Sequence, residues 1–326
     1  MSLLEIEGLR VTFSGDDGRL IHAVDQVDLT LDRGTTLGIV GESGCGKTVT
    51  SLAVMGLLPK RTADVSGAVR LDGLDLLQIP PSKLSDLRGD RIAMIFQEPM
   101  TSLNPSYTIG EQIIETIMRH RGGTRAVARE RAIEMLRRVH MPSPEQRIDE
   151  YPHKLSGGLR QRAMIAMALA CDPHLLIADE PTTALDVTIQ AQILDLLAEL
   201  KATTGAAIIF ITHDLGVVAE ICDEVAVMYA GEIVERAPVD ALFERPEHPY
   251  TLGLLGSIPR FDQRSEALAT IEGMVPDMMV PPTGCRFAAR CPFADTRCRT
   301  ERPPVVSLPG TRWSRCFYAP LEHLSS

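Results

Sequence analysis

The segment Gly41-Glu42-Ser43-Gly44-Cys45-Gly46-Lys47-Thr48 follows the short apolar run Thr36 to Val40 and leads into a helix expected from about Thr48. Its spacing, G-x-x-x-x-G-K-[ST] between a strand and a helix, is that of a phosphate-binding loop. The glycines let backbone N–H groups turn inward onto phosphate oxygens, and the helix N-terminus adds a favourable dipole. Lys47 is expected to reach the β- and γ-phosphates and the Thr48 hydroxyl to hold Mg²⁺. Gly41, Ser43, Gly44, Cys45 and Gly46 form the wall of that loop. Cys45 fills a variable position and reads as a tolerated small side chain. A thiol beside bound phosphate would be shielded from alkylation by nucleotide.

A strand–loop–helix of this kind belongs in a sheet whose ligands gather at the carboxyl ends of its strands. Leu175-Leu176-Ile177-Ala178-Asp179-Glu180 is an apolar strand ending in two carboxylates. Asp179 suits a Mg²⁺-bound water and Glu180 the group that polarises an attacking water. Strands also end at Gln97, after Ile92 to Phe96, and at His213, after Phe210-Ile211-Thr212. A histidine at a strand end beside a phosphate loop and paired carboxylates reads as a γ-phosphate contact. Leu155-Ser156-Gly157-Gly158 precedes a helix expected from about Gln161 to Ala170. That N-terminus could bind an anion or be an ordinary N-cap.

The rest of the chain supplies the matching pattern. Leu3 to Phe13 and Ala23 to Leu31 alternate apolar and polar residues, which predicts strands joined by the turn Ser14-Gly15-Asp16-Asp17-Gly18. From Ile109 to about Val139 the period is helical, inside an insertion expected over residues 98–154. Further on come a helix over Ile189–Leu200, a strand over Ala207–Ile211, and a helix and strand to about Val234. Strands alternating with helices imply an α/β fold with a largely parallel sheet covered on both faces. Beyond about residue 240 prolines recur and four cysteines appear, so the chain is divided into residues 1–240 and an extension, 241–326.

Composition narrows the partners. The net charge of −10 makes a poor general binder of phosphate backbones, and 4% aromatic residues argue against a stacking platform for single strands. No apolar run approaches the ~18–20 residues needed to span a bilayer. The opening Met1-Ser2-Leu3-Leu4-Glu5 lacks a basic region followed by an apolar stretch, so a cytosolic chain is expected, with any membrane role exerted through partners. Cysteines in such a chain are thiols or metal ligands rather than disulfides. Cys285, Cys291, Cys298 and Cys316 lie at C-x5-C-x6-C-x17-C. Four thiolates suit zinc or an iron–sulfur cluster, although structural zinc sites usually open on closer pairs. Cys171 and Cys222 fall in helical core segments and read as buried hydrophobes.

With the phosphate loop, Gln97, Leu155-Ser156-Gly157-Gly158, Asp179-Glu180 and His213 in this order, the chain resembles the nucleotide-binding subunit of ABC transporters over residues 3 to 240. The resemblance implies a P-loop ATPase fold with a mixed sheet core, an antiparallel β subdomain and a helical insertion. It implies two subunits packed head to tail, each ATP lying between one phosphate loop and the other subunit's Ser156-Gly157-Gly158. It makes Glu180 the catalytic base, His213 the γ-phosphate switch, Gln97 a magnesium contact that relays nucleotide state, and Ala184-Leu185-Asp186 the signalling loop. Phe13 would stack on adenine; as a strand residue it could equally be core. The insertion would touch the membrane subunits.

His248-Pro249-Tyr250-Thr251 and the four cysteines resemble the C-terminal extension of oligopeptide/dipeptide importer ATPases. That resemblance implies a [4Fe–4S] cluster on Cys285, Cys291, Cys298 and Cys316. It implies a second, related but different ATPase subunit, two transmembrane permease subunits and an extracytoplasmic solute-binding protein. The chain would then sit peripherally on the cytoplasmic face of the plasma or inner membrane. Nickel or another small solute is the alternative cargo. A soluble ABC-type ATPase acting on DNA or ribosomes is disfavoured by the acidic balance and the lack of a heptad run.

Overall fold

The computed structural model describes residues 2–15, 18–98, 102–183, 186–257 and 271–321. Asp16 and Asp17 of the expected turn, and Ala184 and Leu185 of the expected signalling loop, lie outside the described residues. Two compact units emerge, one of Met1–Leu3, Leu31–Thr36 and Gln78–Ile211, the other of Leu4–Thr30, Leu37–Leu77 and Thr212–Ser326.

The first unit carries three strands side by side: β6 (Ile92–Ile95), β7 (Leu175–Asp179) and β8 (Ala207–Thr212). β6 pairs with β7 and β7 with β8, both parallel. Each is buried at every position and reads as an apolar run rather than an alternation, with a polar residue at the end of β7 (Asp179) and of β8 (Thr212).

The helical insertion lies between β6 and β7. One helical period was expected from Ile109 to Val139, but the structure splits it at Gly122 and Gly123, both at positive φ. The products are α2 (Ile109–Arg121) and α3 (Arg125–Arg138), following α1 (Lys47–Met55) of the other unit. Thr108 and Glu111 close a capping box on α2, and Thr124 caps α3, so each helix has its own start signal. Ile109, Ile113 and Ile117 lie four residues apart on one face of α2, and Ala128, Ala132 and Leu136 do the same on α3; all six are buried. Both helices pack on α4 (Gly157–Leu169). The unit is completed by α5 (Val187–Thr204), capped by the Asp186 side chain, which accepts from the Ile189 N–H, and closed by Gly205 in a left-handed conformation.

In the second unit β1 (Ser2–Ser14), β2 (Leu20–Asp32), β4 (Ala63–Leu71) and β5 (Leu74–Asp75) form a sheet in the order β2-β1-β4-β5. The antiparallel β1–β4 register shifts between Glu7 and Arg10. Gly67 sits opposite with φ +104, where a Cβ would lie 2.6 Å from the Gly8 carbonyl oxygen, so glycine is required. Beside this, β3 (Thr36–Val40) runs parallel to β9 (Glu224–Tyr229). The antiparallel strands β10 (Glu232–Pro238), β12 (Trp313–Ser314) and β11 (Val306–Ser307) follow in that order. This array is therefore mixed. The unit also holds the short helices α6 (Leu215–Ile221) and α7 (Pro249–Gly256). Among the described residues no helix is long and apolar enough to cross a membrane.

Candidate nucleotide site

β3 is buried along its whole length and delivers the chain into the glycine loop at Gly41. Gly41 has φ +153, and a Cβ there would collide with the Met228 carbonyl oxygen of β9. Gly46, at φ +105, would bring a Cβ to 2.6 Å from the Ala23 carbonyl oxygen. Gly44 has φ +78 but nothing within reach of a Cβ. Two glycines are thus demanded by space and one by conformation alone. Gly44→Ala should cost about 1 kcal/mol of stability, the price of a left-handed non-glycine residue, whereas Gly41→Ala should cost several times as much because backbone must move. Thermal unfolding of the two variants checks this; equal losses would contradict it.

The loop leaves Ser43, Gly44 and Thr48 exposed and buries Lys47, whose side chain is held over it. Its Nζ donates to the carbonyl oxygens of Gly41 at 2.8 Å and Glu42 at 3.0 Å. Cys45 departs from the expectation of a thiol beside phosphate: it is 1% exposed and its Sγ faces the Lys47 amine from within the core. Burial pushes the thiol pKa up against the pull of Lys47. A protonated, enclosed thiol reacts slowly with any alkylating agent, so nucleotide protection of Cys45 is not a usable probe.

Two residues that sequence reasoning did not connect to the loop close its outer side. The Glu42 N–H donates to the Tyr250 hydroxyl at 2.8 Å. The Arg290 guanidinium grips both Glu42 carboxylate oxygens, at 2.6 and 2.9 Å. They stand 208 and 248 residues from Glu42, so no local spacing announces them.

Elsewhere in this unit, Phe13 is half-buried near the end of β1 and pairs with Ala63. His213 is exposed just beyond β8, and the next residue, Asp214, caps α6 by accepting from the Gly216 N–H at 2.9 Å.

In the first unit β7 ends at Asp179, 1% exposed, followed by the half-buried Glu180. Glu180 holds φ 48, unusual for a residue with a Cβ, and its N–H donates to the Ile211 carbonyl oxygen at 2.9 Å. Backbone strain of this kind concentrates at functional sites. The Glu180 Oε2 accepts from the Gln97 amide at 3.1 Å and from the Thr183 hydroxyl at 2.8 Å. The two strand ends thus bring Gln97 and Glu180 together. Ser156 is the N-cap of α4, its hydroxyl accepting from the Leu159 N–H at 3.4 Å. A Cβ on Gly157 would meet nothing within 4 Å and one on Gly158 only Ile189 at 3.7 Å. Neither residue has positive φ. Among the described residues nothing therefore explains glycine at these two places. The helix beyond them is anchored to the segment after Glu180: the buried Gln161 amide donates to the Pro181 carbonyl oxygen at 2.6 Å.

The four tail cysteines lie within one part of the second unit. The Cys285 N–H donates to the Cys298 carbonyl oxygen at 2.8 Å. Burial, with the neighbouring Cys316, Cys291 and Cys298, pushes the Cys285 thiol up to about 12; burial, with Cys291 and Cys298, pushes Cys316 up to about 11. Among the described residues no three His, Cys, Asp or Glu side chains are placed to hold a single metal ion.

The ABC transporter family matches residues 24–183, and the oligopeptide/dipeptide transporter C-terminal region matches residues 234–298. A probable peptide ABC transporter ATP-binding protein, y4tR, from Sinorhizobium fredii is 55% identical over 307 residues, 94% of this chain and 91% of its own length. The dipeptide transport ATP-binding protein DppD of Escherichia coli is 49% identical over 322 residues, 99% of this chain and 98% of its own. Among solved structures, the dimeric ATP-binding cassette MJ0796 in a post-hydrolysis state bound to ADP and Pi superposes with a TM-score of 0.65 at 26% identity, covering 72% of this chain and 98% of that one.

Proposed function

Because this chain belongs to the ABC transporter ATP-binding family and carries the C-terminal region of its oligopeptide/dipeptide branch, we propose that it binds and hydrolyses ATP to drive import of di- or oligopeptides. The observation that carries the reading is the loop itself: a buried strand, two glycines without room for a side chain, and a lysine amine suspended over the turn.

In this reading Gly41 to Gly46 present backbone N–H groups to the phosphates and Lys47 neutralises the β- and γ-oxygens. The Thr48 hydroxyl, Gln97 and the buried Asp179 carboxylate offer the hard oxygen donors that Mg²⁺ prefers. An ion held there would supply positive charge against the phosphates. Glu180 orients and deprotonates the attacking water, and His213 contacts the γ-phosphate. Ser156, Gly157 and Gly158 serve the nucleotide of a second ATPase subunit; the open space around Gly157 and Gly158 among the described residues supports an approach from outside the chain. Phe13, half-buried, takes the adenine face. The insertion docks on two transmembrane permease subunits, Gln97 relays nucleotide state, and a solute-binding protein outside the membrane selects the cargo. The chain works at the cytoplasmic face of the membrane as a peripheral subunit, paired with a related but different ATPase, and has no nucleic-acid partner.

The four tail cysteines, Cys298 and Cys316 buried and Cys285 and Cys291 half-buried, are proposed to hold a [4Fe–4S] cluster. Four soft thiol donors in one part of the second unit, three of which act electrostatically on Cys285, suit such a group. Iron and labile sulfide in anaerobically purified protein test it; zinc without sulfide would replace the cluster by a zinc site. The motor reading is tested by Mg²⁺-dependent ATP affinity and hydrolysis in the complex with its cognate subunits. Peptide binding by the associated solute-binding protein tests the cargo, and nickel binding instead would reassign it.

A further inference from the structure

Glu42, the second residue of the phosphate loop, is held at each of its polar groups. Its carboxylate takes both arms of the Arg290 guanidinium, its N–H donates to the Tyr250 hydroxyl, and its carbonyl oxygen accepts from Lys47. The holders are themselves fixed. The Arg290 side chain is 5% exposed; its Nε donates to the Glu272 carbonyl oxygen at 3.0 Å and its Nη2 to that of Ile271 at 3.0 Å. Tyr250 is fully buried, its ring 4.6 Å from that of Tyr229 and 5.4 Å from that of Phe287. The His-Pro-Tyr-Thr motif acquires a physical meaning here. His248 caps α7 by accepting the Tyr250 N–H at 3.1 Å, which starts the helix where the Tyr250 hydroxyl reaches the loop.

We propose that Arg290 and Tyr250 are positioning residues for the phosphate loop, so that the C-terminal extension sets nucleotide affinity. The inference rests on the loop's binding ATP. Two effects combine. A glycine-rich loop loses conformational freedom when it closes on phosphate, and a loop already clamped at Glu42 loses less. A carboxylate in a phosphate-binding loop also repels the polyphosphate, and bidentate pairing with Arg290 neutralises it. Both effects are present before chemistry starts. They act on ground state and transition state alike and so belong in binding rather than turnover. Arg290 directly precedes Cys291, so the clamp is carried on the four-cysteine segment itself.

The test compares the assembled wild-type complex with Arg290→Met, Arg290→Lys, Tyr250→Phe and Glu42→Gln, measuring equilibrium MgATP binding together with KM and kcat. Arg290→Met should raise Kd and KM about tenfold, with kcat within about twofold of wild type. Arg290→Lys keeps the charge without the fork and should recover part of the loss. Tyr250→Phe keeps the ring and removes only the acceptor, for about a threefold rise. Arg290→Met should cost less in the Glu42→Gln background than alone, because the charge it neutralised is gone. A wild-type complex that binds MgATP alongside Arg290 and Tyr250 variants of unchanged Kd overturns the inference and leaves the motor reading intact. So does a loss confined to kcat. A wild-type complex without Mg²⁺-dependent affinity overturns both. Should Arg290→Met fail to fold, Arg290→Lys and Tyr250→Phe decide by the same criteria.

Discussion

Replacing Glu180 with glutamine is expected to stop ATP turnover while leaving MgATP binding at its wild-type level. The substitution preserves shape and one acceptor oxygen, so the contact with the Gln97 amide and the position at the end of β7 can survive. What it removes is the capacity to take a proton, since an amide has no basic oxygen at neutral pH. General-base catalysis contributes about 10²–10⁴-fold, and the loss in kcat should fall in that range or beyond. The backbone argues in the same direction: residue 180 holds a positive φ that a β-carbon disfavours, with its N–H bonded to the Ile211 carbonyl. Binding should persist because, in the proposed function, the phosphate contacts belong to the Gly41 to Thr48 loop. Single-turnover hydrolysis and equilibrium binding on the same preparation separate the two. Near-normal hydrolysis by Glu180→Gln would remove Glu180 from its role as base.

The parts of this architecture legible in the sequence are those written in local patterns. β3, β7 and β8 are continuous apolar runs because each is buried at every position, and their ends could be placed within a residue or two. Helix starts were less legible. The helix expected from about Gln161 begins at Gly157, because glycine is poor in a helix interior yet harmless in a first turn that Ser156 caps. The helix expected over Ile189–Leu200 runs from Val187 to Thr204, reaching back to the Asp186 cap and on to Gly205. The burial of Cys45 was not legible either, since side-chain direction in a glycine loop follows no period. Least legible was the clamp on Glu42. Arg290 and Tyr250 lie in a tail whose cysteines dominate the eye; the packing of Tyr250 against Tyr229 and Phe287, and the carbonyls of Glu272 and Ile271 on Arg290, hold them at the loop.

Replacing Lys47 with alanine is expected to give the opposite signature, with affinity for MgATP lost first and turnover lost as a consequence. In the structure Lys47 is 6% exposed and its ammonium donates to the carbonyl oxygens of Gly41 and Glu42, both within the loop. A phosphate oxygen is a stronger acceptor for that charge than a peptide carbonyl, so the amine is available to the ligand at the cost of two bonds to neutral acceptors. Hydrogen bonds to charged groups contribute about 1.5–3 kcal/mol each, so the variant should bind MgATP at least tenfold to a hundredfold more weakly. Lys47→Arg should not restore binding, because a bulky planar fork does not fit where a compact point charge meets the Gly41 and Glu42 carbonyls. The fold should tolerate the alanine, since the glycine geometry is set by Met228 and Ala23 rather than by the lysine. Thermal unfolding without nucleotide should therefore move little while its shift on adding MgATP disappears. Retention of that shift in Lys47→Ala would mean that phosphate is held somewhere other than this loop.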